Sequence, residues 1–312
     1  MYGRKFAVFT VDAEEFGETE CVNYSSLSAE DDMMDGLSRY TDLIEGYGIK
    51  STVFTLLGTA EKYRGLLSEL AEKGHEIALH GYRHTAPMLI EPHDFKKETA
   101  LAKDRLSQMF GCEIKGFRAP CFSIDTERLD IIRDLGFLYD ASFMNFSSAR
   151  HHAATDFSNW NSLDDNVYER NGFFEFGLVT GRLFGARFPA SGGGYLRLMS
   201  DFLFKPFIKQ CIKNADCYVF YLHPFEFSER RAADLKGAKA YDKFYLTHGI
   251  SGFVGKVRFL ISELADRGFE FVTFSELADL CSEHSKADVR TNKPPEAEPL
   301  SVLTGRSSLL PR

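Results

Sequence analysis

The stretch Glu76-Ile77-Ala78-Leu79-His80-Gly81-Tyr82-Arg83-His84 contains a short apolar segment that leads into two histidines four positions apart. The apolar part predicts a buried β-strand, and a turn after it would bring both imidazoles to one side. Neutral imidazole is the commonest protein ligand for zinc and its neighbours. Because isolated pairs of this kind also occur on ordinary turns, the rest of the chain has to supply further ligands.

Predicted strands and helices alternate on both sides of this stretch. The strands are expected at residues 5–11, 51–57, 76–84, 113–118, 137–140, 217–222 and 269–274, with helices between most of them. Near-continuous apolar strands separated by helices indicate a parallel sheet that is covered on its faces. We therefore expect an α/β fold, a distorted (β/α) barrel of seven or eight parallel strands.

The alternation breaks between residues 147 and 200, where residues 147–171 are polar and predict a loop. Short β-rich runs at 173–190, divided by glycines, predict a β-hairpin-like insertion, and Gly192-Gly193-Gly194 predicts a loop without side chains. From residue 285 onward, Lys, Pro, Glu, Ser and Thr predominate, which is typical of disorder. The expected organisation is one barrel domain over 1–284, with the insertion at about 147–200, and a disordered tail over 285–312.

Composition excludes several classes of partner. The chain has 312 residues and a net charge of −8, so nucleic acid is not expected as a partner. No apolar run approaches the ~20 residues of a membrane span. The six cysteines form no C-x-x-C pair, which predicts reduced thiols. A strand that begins at Lys5 leaves no room for a signal peptide, and we expect a cytoplasmic location.

Titratable residues recur at the carboxyl ends of the predicted strands, where barrel enzymes carry their chemistry. They are Asp12, Glu14, His80, His84, Arg118, Asp140, His223 and Glu226. Taken singly, each has a structural interpretation: Asp12 could cap a helix, Arg118 could be an ion-pair partner, and His223 could be a core histidine. Their recurrence at one end of the barrel favours an active site.

Four motifs in this order resemble those of a known family. Asp12-Ala13-Glu14, His80-Gly81-Tyr82-Arg83-His84, Arg118-Ala119-Pro120 and Leu222-His223-Pro224 are similar to the motif series of the polysaccharide deacetylases. This is the NodB-homology group of metal-dependent carbohydrate deacetylases, also called carbohydrate esterase family four. The resemblance covers residues 6–280. The runs GFRAPCFSI (116–124), GGGYLRL (192–198) and YLHPFE (221–226) further resemble the branch found with bacterial exopolysaccharide and O-antigen gene clusters.

The resemblance implies a metal centre with a base beside it. Glu14, His80 and His84 would be the metal ligands, and Asp12 the catalytic base. Two histidines and a carboxylate leave an open coordination position, as catalytic metal sites do. The implied cofactor is a divalent metal, with zinc as the first choice and cobalt, nickel or iron as alternatives. The family usually has two adjacent aspartates in the first motif, whereas Ala13 separates the two acids here.

The resemblance also implies roles for the remaining residues. Arg118 would pair with Asp12, the backbone N–H of Cys121 would bind the oxyanion, His223 would protonate the leaving amine, and Asp140 would orient His223. Three further residues are candidates for substrate binding: Gly193, Tyr195 and Glu226. The glycine loop either lines the sugar site or only turns the chain, and Glu226 either supports His223 or binds substrate.

The expected function is metal-dependent removal of an N-acetyl (or N-formyl) group from an amino sugar in bacterial surface-polysaccharide biosynthesis. Two alternatives remain open from the sequence. One is an allantoinase-like hydrolase of a small amide, and the other is a non-catalytic carbohydrate-binding barrel. A carbohydrate is the expected partner.

Overall fold

Strands and helices alternate along the chain in the computed structural model, which describes residues 3–18, 32–144, 155–230 and 240–291. The strands are β1 Lys5–Ala13, β2 Ser51–Leu56, β3 Glu76–Gly81, β4 Gly116–Phe117, β5 Tyr139–Asp140, β6 Asn161–Asp164, β7 Val167–Arg170, β8 Phe173–Phe176, β9 Thr180–Leu183, β10 Ala186–Pro189, β11 Cys217–Leu222 and β12 Phe269–Phe271. The helices are α1 Asp35–Glu45, α2 Leu57–Lys62, α3 Arg64–Glu72, α4 Pro92–Phe110, α5 Thr126–Asp134, α6 Gly193–Leu198, α7 Asp201–Asn214, α8 Ala240–Thr247, α9 Ile250–Asp266 and α10 Phe274–Thr291.

Local sequence signals account for the helix ends. Helix α4 begins with Pro92, whose missing N–H costs nothing in the first turn, and ends at Gly111, which has a φ of 65°. Helix α5 is capped by Asp125, whose carboxylate accepts a hydrogen bond from the Arg128 backbone N–H at 2.8 Å.

Ten of the twelve strands in the described residues form one curled, mostly parallel sheet, and β9 and β10 form a separate two-stranded hairpin. The order of the large sheet is β11-β1-β2-β3-β4-β5-β8-β7-β6, and β12 pairs with the first residues of β1. The pairings from β11 through β8 are parallel, whereas β7 and β6 are antiparallel additions at the edge. This arrangement confirms the expected distorted (β/α) barrel.

Two short segments, around Val179 and Ser191, bridge β8 and β11 near the carboxyl ends of the strands. Val179 donates its N–H to Ser191 Oγ at 2.6 Å, and Ala190 donates to the Val179 carbonyl at 2.8 Å. Tyr221 of β11 donates its N–H to the Ser191 carbonyl at 2.9 Å. The barrel wall is therefore continuous near the carboxyl ends of the strands, where the candidate site lies.

The region from 155 to 200 differs in part from expectation. A hairpin is present, formed by β9 and β10, but β8 belongs to the barrel wall, and β6 and β7 occupy a segment expected to be a polar loop. The sequence did not identify β8 as a strand of the barrel wall, because its four residues are all buried and give no alternating pattern.

The chain end also differs from expectation. Helix α10 continues to Thr291, past the boundary expected at residue 284. Residues 292–312 lie outside the described residues, so disorder there stays a prediction. Among the described residues, no helix is both long and apolar enough to cross a membrane.

Alternation along β1 determines what points into the barrel. Phe6 and Val8 belong to the inner apolar cluster, whereas Ala7 and Phe9 pack against the helices. Because side chains in a strand alternate between faces, Asp12 lies on the same inner face as Phe6 and Val8. Aromatic rings such as that of Phe274 fill the lower half of the barrel. Polar side chains occupy the upper half of the barrel, at the carboxyl ends of the strands.

Candidate active site

Four titratable residues converge at the carboxyl ends of β1, β3 and β11. The Oε2 atom of Glu14 lies 2.8 Å from His84 Nε2 and 3.5 Å from His80 Nε2. The Oε1 atom of the same carboxylate lies 3.4 Å from His223 Nε2. One candidate ligand atom each from Glu14, His80 and His84 lies within 4.8 Å of the others, which is a spacing that could hold a metal ion.

The hydrogen bonds around this group fit a divalent cation. His80 Nδ1 lies 2.9 Å from the Arg118 carbonyl oxygen, so it donates its proton there and turns the Nε2 lone pair towards Glu14. Both Glu14 oxygens are buried and lack a hydrogen-bonding partner of acceptable angle within the described chain, even though His84 lies close. A buried carboxylate without a hydrogen-bond donor needs a positive charge beside it.

The protonation of Glu14 is consistent with this arrangement. Burial alone would raise the pKa of Glu14, but the neighbouring imidazoles of His84, His80 and His223 hold the pKa below its ordinary value. The carboxylate is therefore ionised and available as a ligand.

Asp12 forms a buried ion pair beside this group. Its Oδ1 accepts a hydrogen bond from Arg118 Nη1 at 2.6 Å, and the same nitrogen lies 2.9 Å from Thr10 Oγ1. Arg118 Nε donates to the Ala141 carbonyl at 3.0 Å, and the guanidinium lies 4.1 Å from the centre of the Phe54 ring. Asp12 is thus held in a single orientation, and Arg118 contributes by positioning it.

The turn that follows Arg118 is strained. Cys121 and Phe122 have φ values of 59° and 53°, in the left-handed region that residues with a side chain rarely adopt. Strain of this kind is found most often at functional sites. The turn also explains Gly81 between the two histidines: its φ is 134°, and an added Cβ would lie 3.3 Å from Pro120 Cγ. The oxyanion role of the Cys121 N–H stays a prediction.

Glu226 supports His223 from behind. It is buried, its Oε2 accepts the His223 backbone N–H at 3.1 Å, and its Oε1 accepts a hydrogen bond from Arg197 Nε at 3.1 Å. A Cβ at Gly193 would lie 2.3 Å from Glu226 Oε2, so only glycine fits there. Of the two roles left open for Glu226, the structure favours support of His223. Gly193 begins α6, where the sequence predicted a loop, and Tyr195 is half-buried in this helix; its substrate role stays a prediction.

The environment of His223 favours its protonated form. Burial lowers its pKa, but the nearby carboxylates of Glu226, Glu14 and Asp12 outweigh burial and raise the pKa to about 9. A cation bound at Glu14 would oppose this rise, towards the ordinary value near 6.5. In either case, the imidazole can carry the proton that a leaving amine needs.

The expectation that Asp140 orients His223 is wrong. The Asp140 carboxylate accepts hydrogen bonds from the backbone N–H and hydroxyl of Ser142 at 2.9 and 3.0 Å. The carboxylate nearest His223 Nδ1 is instead Glu226, at 3.9 Å. Asp140 lies on β5, which is separated from β11 along the sheet by four other strands. Motif order in the sequence carries no information about this separation.

Asp140 belongs to a buried carboxyl pair with Glu175, a residue that the sequence analysis missed. Glu175 Oε1 accepts the backbone N–H groups of Ser142 and Phe143 at 3.1 and 2.8 Å. Burial raises the pKa of Asp140 to about 6 and that of Glu175 well above its ordinary value, so the pair shares a proton. The pair anchors the segment that holds Arg118. The sequence signal for this buried acid was the single glutamate inside the apolar run FFEF at residues 173–176.

This pair predicts a pH-dependent stability. Because the folded carboxyls bind protons more tightly than the unfolded ones, the free energy of unfolding falls as pH rises from about 4 through 6 and beyond. Glu175→Gln removes the titrating group and keeps the shape. We expect the change in free energy of unfolding caused by Glu175→Gln to be about 1–2 kcal/mol more favourable at pH 8 than at pH 5. Urea unfolding at both pH values measures this, and the exposed Glu127→Gln is the control. An equal effect at both pH values would contradict a shared proton.

Comparison with known proteins matches the two halves of the chain separately. Residues 23–139 match the family model described as polysaccharide deacetylase. This part of the chain is a polysaccharide deacetylase domain. His80, His84 and Arg118 fall within the matched range of the deacetylase model. Residues 147–279, which include His223 and Glu226, match a domain of unknown function.

Two curated relatives each match about two fifths of the chain. A peptidoglycan deacetylase-like protein from Gibberella zeae is 27% identical over 124 residues, which are 39% of this chain and 37% of that protein. A peptidoglycan deacetylase from Helicobacter pylori is 22% identical over 129 residues, which are 41% of this chain and 44% of that protein. The chain thus spans less than half the length of these relatives.

A solved structure shares the fold over nearly the whole chain. It is assigned to a polysaccharide deacetylase from Mycobacterium smegmatis, with a TM-score of 0.55 and 18% identity, and the match covers 99% of this chain and 96% of that one. At this identity, the likeness establishes the architecture alone.

Proposed function

We propose that this deacetylase-family protein hydrolyses the N-acetyl (or N-formyl) group of an amino sugar in bacterial surface-polysaccharide biosynthesis, with a divalent metal as cofactor. The observation that carries the proposal is the convergence of Glu14, His80 and His84 on one point. An ion-paired acid, Asp12, lies two residues before Glu14, and His223 Nε2 lies 3.4 Å from Glu14 Oε1. Such a set provides ligands, a base and an acid within one cleft.

Glu14, His80 and His84 would hold the metal. Their two imidazole nitrogens and one carboxylate suit zinc, with cobalt, nickel or iron as alternatives. A bound divalent ion would polarise the carbonyl and make water more acidic at neutral pH. The proposed setting is a reducing compartment, the cytoplasm, and all five described cysteines are free thiols.

The protein side chains would then move the protons. Asp12, oriented by Arg118, accepts the proton of the attacking water as its oxygen bonds to the acyl carbon. The Cys121 backbone N–H would stabilise the negative charge on the acyl oxygen. His223, held by Glu226, donates its proton to the sugar nitrogen as the carbon–nitrogen bond breaks. The products are a carboxylate, such as acetate, and the free amino sugar.

Metal removal tests this proposal. We expect the purified protein to contain a stoichiometric divalent metal and to release acetate from N-acetylglucosamine oligomers. Dialysis against a chelator should lower the rate at least about 100-fold, and zinc or cobalt should restore it. Elemental analysis and an acetate assay measure both quantities.

The same assay separates the alternatives. Turnover of allantoin with none of the acetylated sugars would favour an allantoinase-like amide hydrolase. A preparation that binds sugar oligomers, but neither holds metal nor gains activity when metals are added, would favour a non-catalytic carbohydrate-binding barrel.

A further inference from the structure

A second polar cavity lies on the side of the barrel, away from the candidate active site. Its volume is about 470 Å³, and it lies between the β6–β7 turn, the β9–β10 hairpin and the end of α7. Its polar walls include Asp165, Asn166, Tyr168, Arg182, Arg187 and Gln210. None of the candidate catalytic or metal-binding residues lines it.

Two arginines of the hairpin face this cavity. Arg182 and Arg187 are directly opposite each other in the antiparallel pairing of β9 and β10, and both are exposed. Like charges in directly opposite positions destabilise a strand pair. The neighbouring Gly181 lies against α7, since an added Cβ there would meet Cys211 Sγ at 2.3 Å. Because faces alternate along a strand, the two arginines lie on the other face of the hairpin, and both line the cavity.

The tip of the same hairpin carries a second unfavourable feature. Phe184 and Gly185 are the two turn residues and have φ values of 50° and 83°. Turns of this kind favour asparagine, aspartate or glycine at the first position, yet Phe184 occupies it and is 85% exposed. Neither the paired arginines nor the exposed ring contributes to the barrel core. Features that weaken a fold without packing against it are typical of binding sites.

The opposite wall of the cavity offers complementary groups. Asp165 and Tyr168 belong to the β6–β7 hairpin, and the phenol of Tyr168 lies within electrostatic range of both Asp165 and Arg187. Gln210 of α7 adds an amide that can both donate and accept. A ligand here meets two guanidinium groups on one side and hydroxyl-binding groups with an aromatic ring on the other.

We propose that this cavity binds an anionic saccharide unit, with its carboxylate or phosphate group between Arg182 and Arg187. Guanidinium groups bind such anions through paired hydrogen bonds, and Asp165 and Gln210 suit sugar hydroxyls. The role of this site rests on the proposed function, because the site would hold acidic units of the polymer that the active site deacetylates. Binding itself does not require the deacetylation chemistry.

Calorimetric titration of the full chain tests the proposal. The probes are an oligogalacturonate trimer, a hexose 6-phosphate, inorganic phosphate and a neutral N-acetylglucosamine trimer. We expect one or both anionic sugars to bind, and the double variant Arg182→Gln/Arg187→Gln to bind them at least 10-fold more weakly. The double variant Arg64→Gln/Arg105→Gln, which changes exposed arginines elsewhere by the same charge, should bind like the original protein.

Two further measurements make the outcome decisive. The variant His80→Ala should bind the anionic sugars unchanged, which separates a failure of this site from a failure of the proposed deacetylase function. Without ligand, the arginine double variant should melt in one cooperative transition like the original protein, which shows that its loss of binding does not come from unfolding. Equal affinity for the anionic sugars in the two double variants, an equal loss of affinity for the neutral trimer in the arginine variant, or binding of inorganic phosphate alone would each overturn the proposal.

Discussion

Asp12→Asn is expected to lower kcat for acetate release by about 10²–10⁴, the usual contribution of a positioned general base. The substitution keeps the shape of the side chain but removes the group that accepts the proton of water. The metal ligands Glu14, His80 and His84 remain, so metal content should not change. Steady-state kinetics with elemental analysis of the same preparation measure both.

The loss has to be separated from the effect of breaking a buried ion pair. Asp12→Asn leaves Arg118 buried without a carboxylate, which lowers stability. Thr10→Val is the matched control, because it removes another oxygen that accepts from Arg118 Nη1 and has no part in proton transfer. We expect it to cost about 1–3 kcal/mol of stability and to leave kcat within about 10-fold of the original value, well inside the range expected for loss of a base. Equal losses of kcat in the two variants would assign Asp12 a structural role.

His80→Ala is expected to remove the metal as well as the activity. The imidazole supplies one of three candidate ligands, and changes even in groups that only support ligands weaken metal binding by about 10–100-fold. Bound metal after gel filtration should fall close to zero, and acetate release should fall by at least about 100-fold. This result differs from that of Asp12→Asn, which keeps its metal.

The control for His80→Ala is another histidine. His93 is exposed at the start of α4 and lies outside the candidate site. His93→Ala should therefore leave metal content and kcat unchanged. Full metal content in His80→Ala would show that the cation binds elsewhere, and retained activity would exclude His80 as a ligand.

Much of the fold was predictable because local signals agreed with it. The apolar runs of β1, β2, β3 and β11 are long enough to stand out, and glycines and prolines mark the helix ends. Strands β4 and β5 have only two residues each, and β8 is a run of buried residues without alternation. Such elements are specified by the neighbours with which they pair, and those neighbours are distant in sequence.

The site was predictable where one motif contains both partners and was not where the sheet brings distant motifs together. His80 and His84 are four residues apart and face the same carboxylate. Only the structure identifies the carboxylate beside His223. Glu226 lies three residues away in the sequence, whereas motif order alone had suggested Asp140. Glu175 gave little signal, because a single glutamate among phenylalanines is ambiguous until its neighbours are known.

Strand β1 carries Asp12 and is followed directly by Glu14, and two of the strands that pair with it come from the last third of the chain. Phe6 pairs with Cys217, and Lys5 pairs with Phe269. During synthesis, this apolar strand leaves the ribosome well before β11 and has no partner on one edge until β11 follows. An unpaired apolar edge favours association with other chains. We therefore expect nascent chains that stop before residue 217 to aggregate or to depend on chaperones, whatever the state of their metal ligands.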